Sequence, residues 1–213
     1  MFTHYPVYDG HVSVSLGALQ GGYVRKITEG INRYRAVEGT QQRGPYMPEN
    51  AGEFVAKHRN SRGKDEVFAI LRHDGSQPKN YRFIGLVGIH GISWPSGYGT
   101  GGIMIFSTSE RGGAGTEALL LLLYHCFSTL GLRKVDASVK AFNGPSLGHA
   151  VKCGFQIVGH RKAHHYHDGS YVDEILLEVF KEDWKPIWDR YNESKTLPKL
   201  TNSQRELVSK ETS

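Results

Sequence analysis

Two hydrophobic spacings alternate along the chain, and their order sketches a fold. In 11–17 (HVSVSLG), Val12, Val14 and Leu16 alternate with serines, the period of a half-buried strand. Over 21–37, Tyr23, Ile27, Ile31 and Tyr34 recur at helical spacing, which predicts an amphipathic helix interrupted at Gly30. Turn-forming residues follow (EGTQQRGPYMPEN), then a short helix over 51–59 with Phe54 and Val55 inward. Strands are predicted over 66–72 and 81–92, on either side of the turn HDGSQPKN. SWPSGYGT (93–100) reads as a hairpin loop leading into the apolar strand 103–106. Next comes a helix whose apolar run, 118–123, ends near Leu130-Gly131, where glycine commonly terminates a helix. A strand (134–140), a helix (143–153), two strands (155–161 and 171–180) and a short helix (181–191) complete one domain over 1–192. Residues 193–213 are polar and lack a sustained apolar period, so they are expected to be a flexible tail. This order implies an α/β fold with a mixed sheet flanked by helices.

The stretch 101–131 stands out. An apolar strand runs through a Ser/Thr/Glu connection into a turn containing Gly112, Gly113 and Gly115, and from there into the apolar helix. Glycines remove side chains where backbone must turn sharply or approach a ligand. The unpaired N–H groups and positive dipole end of the first helical turn favour an anion, above all a phosphate. An ordinary strand-to-helix connection would also use glycines. The P-loop pattern fails, because no lysine precedes Thr116. The dinucleotide pattern fits poorly: Asp136 lies at about the right distance, but a long region of other structure precedes the turn.

ERGGAGTEAL (110–119) resembles the acetyl-coenzyme A loop of the GNAT acyltransferase superfamily, Q/R-x-x-G-x-G followed by a helix. Aligned without a gap, Gly113 and Gly115 are its two glycines, Glu110 stands where Gln or Arg is usual, and Arg111 comes one place late. NGPSLGHAVKCGF (143–155) looks like the N-x-x-S…K-x-G-F helix of the RimJ/RimL-like branch. The branch's G-x-x-x-x-D-G-x-Y-x-D pattern is echoed by Gly159, Arg161, Asp168, Gly169, Tyr171 and Asp173. Together the motifs span roughly 83–184 in family order. The resemblance implies a mostly antiparallel mixed sheet and direct acetyl transfer from acetyl-CoA to a primary amine, without an acyl-enzyme. It places Arg111, Gly112, Gly113, Ala114, Gly115 and Thr116 on the diphosphate, and Ile103 and Ile105 on the pantetheine arm, freed by a splay of the core strand from its neighbour.

Such chemistry needs a neutral amine, a donor for the oxyanion and a proton for the leaving thiolate. An alkylammonium, with a pKa near 10.4, must lose a proton before it attacks. The core strand carries no acid, which leaves His90 as the candidate base and Asp136 behind it. A lone strand histidine serves equally well as a structural residue. Ala150 stands where related enzymes often place a tyrosine acid, whereas Ser146 matches the branch's serine near the sulfur. Asn143 and Ser146 also suit a helix cap, and the two roles are compatible. Tyr34, Tyr46, His164 and Tyr166 are candidate acceptor contacts; the tyrosines at 34 and 46 would serve equally as packing aromatics. The histidines of HRKAHHYHDG lack a second cluster at closed-site spacing, so no metal is expected.

Composition narrows the rest. With 213 residues, 38% hydrophobic and 22% charged, the chain suits one globular domain. No apolar run approaches a bilayer span, no secretory pattern opens the sequence, and two cysteines read as free thiols, so a cytoplasmic location is expected. A net charge of +5, partly in the tail, is no nucleic-acid footprint, though it would help recruit an anionic cofactor. The acceptor is expected to be a small-molecule amine, with a peptide N-terminus second, and the protein a monomer or homodimer. A non-catalytic acetyl-CoA-binding module is the competing class, and a dinucleotide oxidoreductase a distant third.

Overall fold

Period-two alternation in the strands sorts side chains onto two faces of one sheet, and each face is covered by its own helices. The architecture comes from a computed structural model that describes residues 14–33, 44–59, 63–73, 81–107 and 112–212. In chain order the elements begin β1 (Val14–Gly17), α1 (Val24–Asn32), α2 (Pro48–Arg59), β2 (Glu66–His73), β3 (Tyr81–Ser93) and β4 (Tyr98–Ile105). They continue α3 (Ala114–Tyr124), β5 (Lys134–Lys140), α4 (Gly144–Lys152), β6 (Gln156–His167), β7 (Ser170–Phe180), α5 (Lys181–Ser194) and α6 (Asn202–Glu211). The strands form one seven-stranded sheet in the order β1-β2-β3-β4-β5-β7-β6. Every neighbouring pair is antiparallel except β4–β5, which is parallel. The mixed, mostly antiparallel α/β expectation therefore holds.

Ile70, Ile89, Val135, Ile175 and Val179 point to the face covered by α3, α4 and α5. There α3 is buried on all sides from Ala114 to Leu123, as its run of five leucines requires. Its only buried carboxylate, Glu117, accepts a hydrogen bond from Tyr191 Oη of α5 at 2.7 Å. The helix ends in a π turn, His125–Thr129, closed by Leu130 N–H onto the His125 carbonyl. On the opposite face, Val67, Leu71, Phe83 and Leu86 pack against Ile27 and Ile31 of α1 and Val55 of α2.

Several local expectations shift. The first helix is not interrupted at Gly30 but runs through it; a Cβ there would lie 2.3 Å from the Phe106 ring, so the glycine marks close packing rather than a break. The core strand begins earlier, at Tyr98, which shortens the hairpin loop. The C-terminal tail holds a helix. Residues Asn202–Glu211 form α6, started by a capping box between Thr201 and Gln204. Leu197, Leu200 and Val208 pack onto the main core, and Thr212 lies against Gly144 at the start of α4. Their apolar contacts are too widely spaced to show a period, and the helix depends on the groove beside α4 that receives them.

Candidate active site

Strands β4 and β5 pair only over Tyr98↔Lys134, Gly99↔Val135 and Thr100↔Asp136. Beyond that point β4 stays with β3 as far as Gly85↔Ile105, while β5 stays with β7 as far as Lys140↔Glu174. The sheet therefore opens into a V, as expected for the core strand, and backbone groups on its inner edges lose their ladder partners. A cavity of about 350 Å³ fills the opening. Its walls are Gly101 to Ile105 of β4, Ala137 to Lys140 of β5, Gly115 and Leu119 of α3, and Asn143, Pro145, Ser146, His149 and Ala150 around α4. Phe155, His165 and Glu174 complete it.

On the α3 side the site is made of backbone. Gly113 caps α3 at φ +92°, a left-handed conformation in which a Cβ would also meet Leu197 at 2.5 Å. The first α3 amide with a helical partner is Glu117 N–H, bonded to the Gly113 carbonyl at 3.1 Å; the amides before it have the orientation that suits an anion. Gly115 lets α3 approach α4, since a Cβ there would meet the His149 ring at 3.3 Å. Asn143 caps α4 by accepting Ser146 N–H at 3.3 Å. The Ser146 hydroxyl has no hydrogen-bond partner among the described residues.

The opposite face of the V is built from side chains. Val135, Ala137 and Val139 of β5 face the α3 core, as do Ile175 and Leu177 of β7. Alternation turns Ser138 and Glu174 the other way. Glu174 is buried and receives His165 Nε2 at 3.2 Å and Arg161 Nη1 at 2.8 Å. Burial alone would raise its pKa; hydrogen bonds from Ser138, His165 and Arg161 outweigh that and hold the carboxyl below its usual value. A register shift in β6 between Arg161 and His165, with Ala163 left-handed at φ 49°, brings both His164 and His165 to this carboxylate. This His-His-Glu group has metal-ligand spacing. The Arg161 guanidinium already occupies Glu174 Oε2, so the carboxylate acts as a charge hub for cations of the protein itself.

The structure brings some of the expected residues together and separates others. Ile103, Ile105, Gly115, Asn143 and Ser146 line the cavity. Gly112, Gly113, Ala114 and Thr116 do not. Ala114 is wholly buried in the core, and Thr116 Oγ1 is buried against His149 Nδ1 at 3.0 Å. Arg111 and Tyr34 lie outside the described residues. Tyr46 is a buried residue of the α1–α2 core, tied through its backbone to Asn32, and lines no described cavity. Tyr166 is 54% exposed and edge-on to Tyr171, on the side of β6 away from its buried neighbour His165. His164 is half exposed beside Glu174 and outside the cavity lining.

His90 is not itself in the cavity wall but lies beside it: it pairs with Thr100, where β4 and β5 part, a Cβ on the wall residue Gly102 would lie 4.0 Å from its Cδ2, and its Nδ1 is 3.7 Å from Asp65 Oδ1. Burial lowers its pKa, and the Asp65 charge opposes that in part. Asp65 is itself held below its usual value, first by the Gly91 N–H and then by neighbouring positive charge. Cys126 and Cys153 are buried free thiols with pKa values pushed up by burial, unsuited to act as nucleophiles.

Spacing along the chain did not single out Glu174, Arg72 or His165. Arg72 of β2 places its guanidinium 3.4 Å from where a Gly112 Cβ would be, beside the glycine turn. Its place next to the turn follows from the pairing of β2 in the sheet, which spacing alone does not reveal. His165 was within view as part of a histidine cluster, but its burial beside Glu174 depends on the β6 register shift.

A family model described as the acetyltransferase (GNAT) domain matches residues 24–156, more than half of the chain. The chain belongs to the GNAT acetyltransferase family. The protein is thus an enzyme that moves an acetyl group to nitrogen. Solved structures share the fold. Spermidine N-acetyltransferase from Vibrio cholerae, in complex with CoA and spermine, is similar at TM-score 0.69 and 22% identity, covering 81% of this chain and 98% of that one. A chimera of that enzyme with hSSAT gives 0.69 at 21% identity, over 82% and 99%. A structure described as a probable acetyltransferase gives 0.70 at 20% identity, over 81% and 95%. No curated protein matches the sequence.

Across most of this GNAT chain no helix of the described residues is long and apolar enough to cross a membrane.

Proposed function

We propose that this protein transfers the acetyl group of acetyl-CoA directly to the primary amine of a small molecule, in the manner of the RimJ/RimL-like branch. The observation that carries the reading is the V between β4 and β5, whose cavity joins the glycine-rich start of α3 to a buried His165–Glu174 pair on the other face. Acetyl-CoA supplies an activated thioester; the chain supplies everything else. Amides at the start of α3, with Arg72 beside them, suit the diphosphate, and the unpaired inner edges of β4 and β5 suit an amide-bearing arm. Backbone N–H groups of β4 face the position where negative charge would develop on the carbonyl oxygen.

His165 is the proton acceptor. In the neutral ring Nε2–H donates to Glu174, which leaves Nδ1 to take a proton from the incoming ammonium. Glu174 fixes the ring and stabilises it once charged. Ser146, unpartnered and in the cavity wall, is placed to hydrogen-bond the departing sulfur. The base role thus falls to His165 in place of His90. A small diamine or polyamine is the favoured acceptor class, since similar enzymes acetylate spermidine.

The test is thiol release from acetyl-CoA with a panel of small amines and peptide N-termini, with products read by mass. Turnover on small amines supports the reading. Turnover confined to peptides, or binding of acetyl-CoA with no turnover on any amine, overturns it.

A further inference from the structure

Three side chains that the acetyl-transfer reading does not use converge on the face covered by α1 and α2. They are His58 in the last turn of α2, Asp65 just before β2, and His90 near the end of β3; their donor atoms all lie within 4.8 Å of one another. His90 Nδ1 and Asp65 Oδ1 are 3.7 Å apart. That is too long for a hydrogen bond. It is close to the ~3.3 Å that separates two donors each roughly 2.0–2.1 Å from one tetrahedral ion.

Two of the three donors are also held by hydrogen bonds to backbone. His58 Nδ1 lies 2.8 Å from the Phe54 carbonyl, so the neutral ring donates there and carries its lone pair on Nε2. The Phe54 ring tilts against the same imidazole at 4.3 Å. Asp65 Oδ1 accepts the Gly91 N–H at 2.9 Å. The two imidazoles stand perpendicular, at 89° and 6.4 Å between centroids, so they do not stack face to face. Carbonyl-anchored imidazole and amide-anchored carboxylate are the outer-shell pattern of metal ligands.

We propose that His58, Asp65 and His90 bind one divalent cation of the zinc class, with water in the fourth position. Two imidazoles and one carboxylate make a donor set that suits zinc better than calcium or magnesium. The site would tie the end of α2 to β2 and β3, pinning the helical cover of this face to the sheet. The Lys57 ammonium, next in sequence to His58 and exposed, opposes the ion. The His164–His165–Glu174 group differs here, because Arg161 sits directly on its carboxylate.

The full chain, stripped with a chelator and dialysed against buffered zinc, should retain one zinc per chain, measured by mass spectrometry of the metal. His58→Ala and Asp65→Ala should each weaken zinc binding at least tenfold, while the double variant His164→Ala/His165→Ala keeps it. Should either single variant misfold, histidine footprinting of the wild type with diethylpyrocarbonate gives the answer directly: zinc should protect His58 and His90. Substoichiometric zinc at micromolar free metal, protection of other histidines instead, or unchanged binding in both folded single variants would overturn the proposal.

Discussion

The two arms of the open V differ in kind. The β4 arm, with the glycine turn and α3 behind it, presents glycines, aliphatic side chains and backbone amides. The arm of β5, β7 and β6 presents Ser138, Glu174 and His165, a hydrogen-bonded ionisable group held in the wall. Binding a thioester cofactor demands fixed dipoles and close approach, which backbone supplies whatever the side chains are. Moving a proton demands a titratable group, and only side chains supply that. On the mechanism proposed above, the two halves of one reaction rest on different parts of the chain, so substitutions should separate them cleanly.

The comparison breaks first at His165. His165→Ala should lower turnover by about a hundredfold or more, the usual worth of a positioned base, while acetyl-CoA affinity measured by calorimetry stays within about twofold. A parallel loss of affinity would merge the two arms. On the other arm, Gly113→Ala forces a Cβ into a left-handed position at a cost of ~1–2 kcal/mol, so KM for acetyl-CoA should rise about tenfold with turnover largely kept. Ser146→Ala should lower turnover about fivefold to tenfold, the worth of one transition-state hydrogen bond, with little change in KM. Unchanged turnover removes Ser146 from the chemistry.

Two smaller effects sharpen the picture. Removing residues 195–213 strips Leu197, Leu200 and Val208 from the core and should lower Tm by roughly 2–8 °C, the worth of ~1–2 kcal/mol in a chain of this size. Glu174 has a lowered pKa in the folded state, so its ionisation stabilises the fold above about pH 4.3, the unfolded value, and this is lost as pH falls through the lower folded value. Thermal melts should therefore show wild type and Glu174→Gln converging below that pH and diverging above it.

Much of the cofactor arm was legible in the sequence. Glycine spacing and the apolar run of α3 are local signals, and the Asn143–Ser146 cap is written in consecutive residues. The proton arm was not. His165 meets Glu174, nine residues on, because β6 shifts register between Arg161, which pairs with Glu174, and His165, which pairs with Val172. Neither the shift nor the pairing can be counted off the chain. His90 has the residue type of a base, and its ring lies beside Asp65 and Gly102, next to the cavity wall and not in it.

Order and type of the elements, the turn that starts α3 and membership in an acetyltransferase family were therefore set by local pattern, since helix and strand periods and glycine conformations act within a few residues. Which side chains share the cavity, where the tail helix docks and which carboxylate meets which imidazole were decided by strand register and packing. Those depend on contacts between residues far apart in the chain, and a one-residue slip in a strand sends every side chain to the other face.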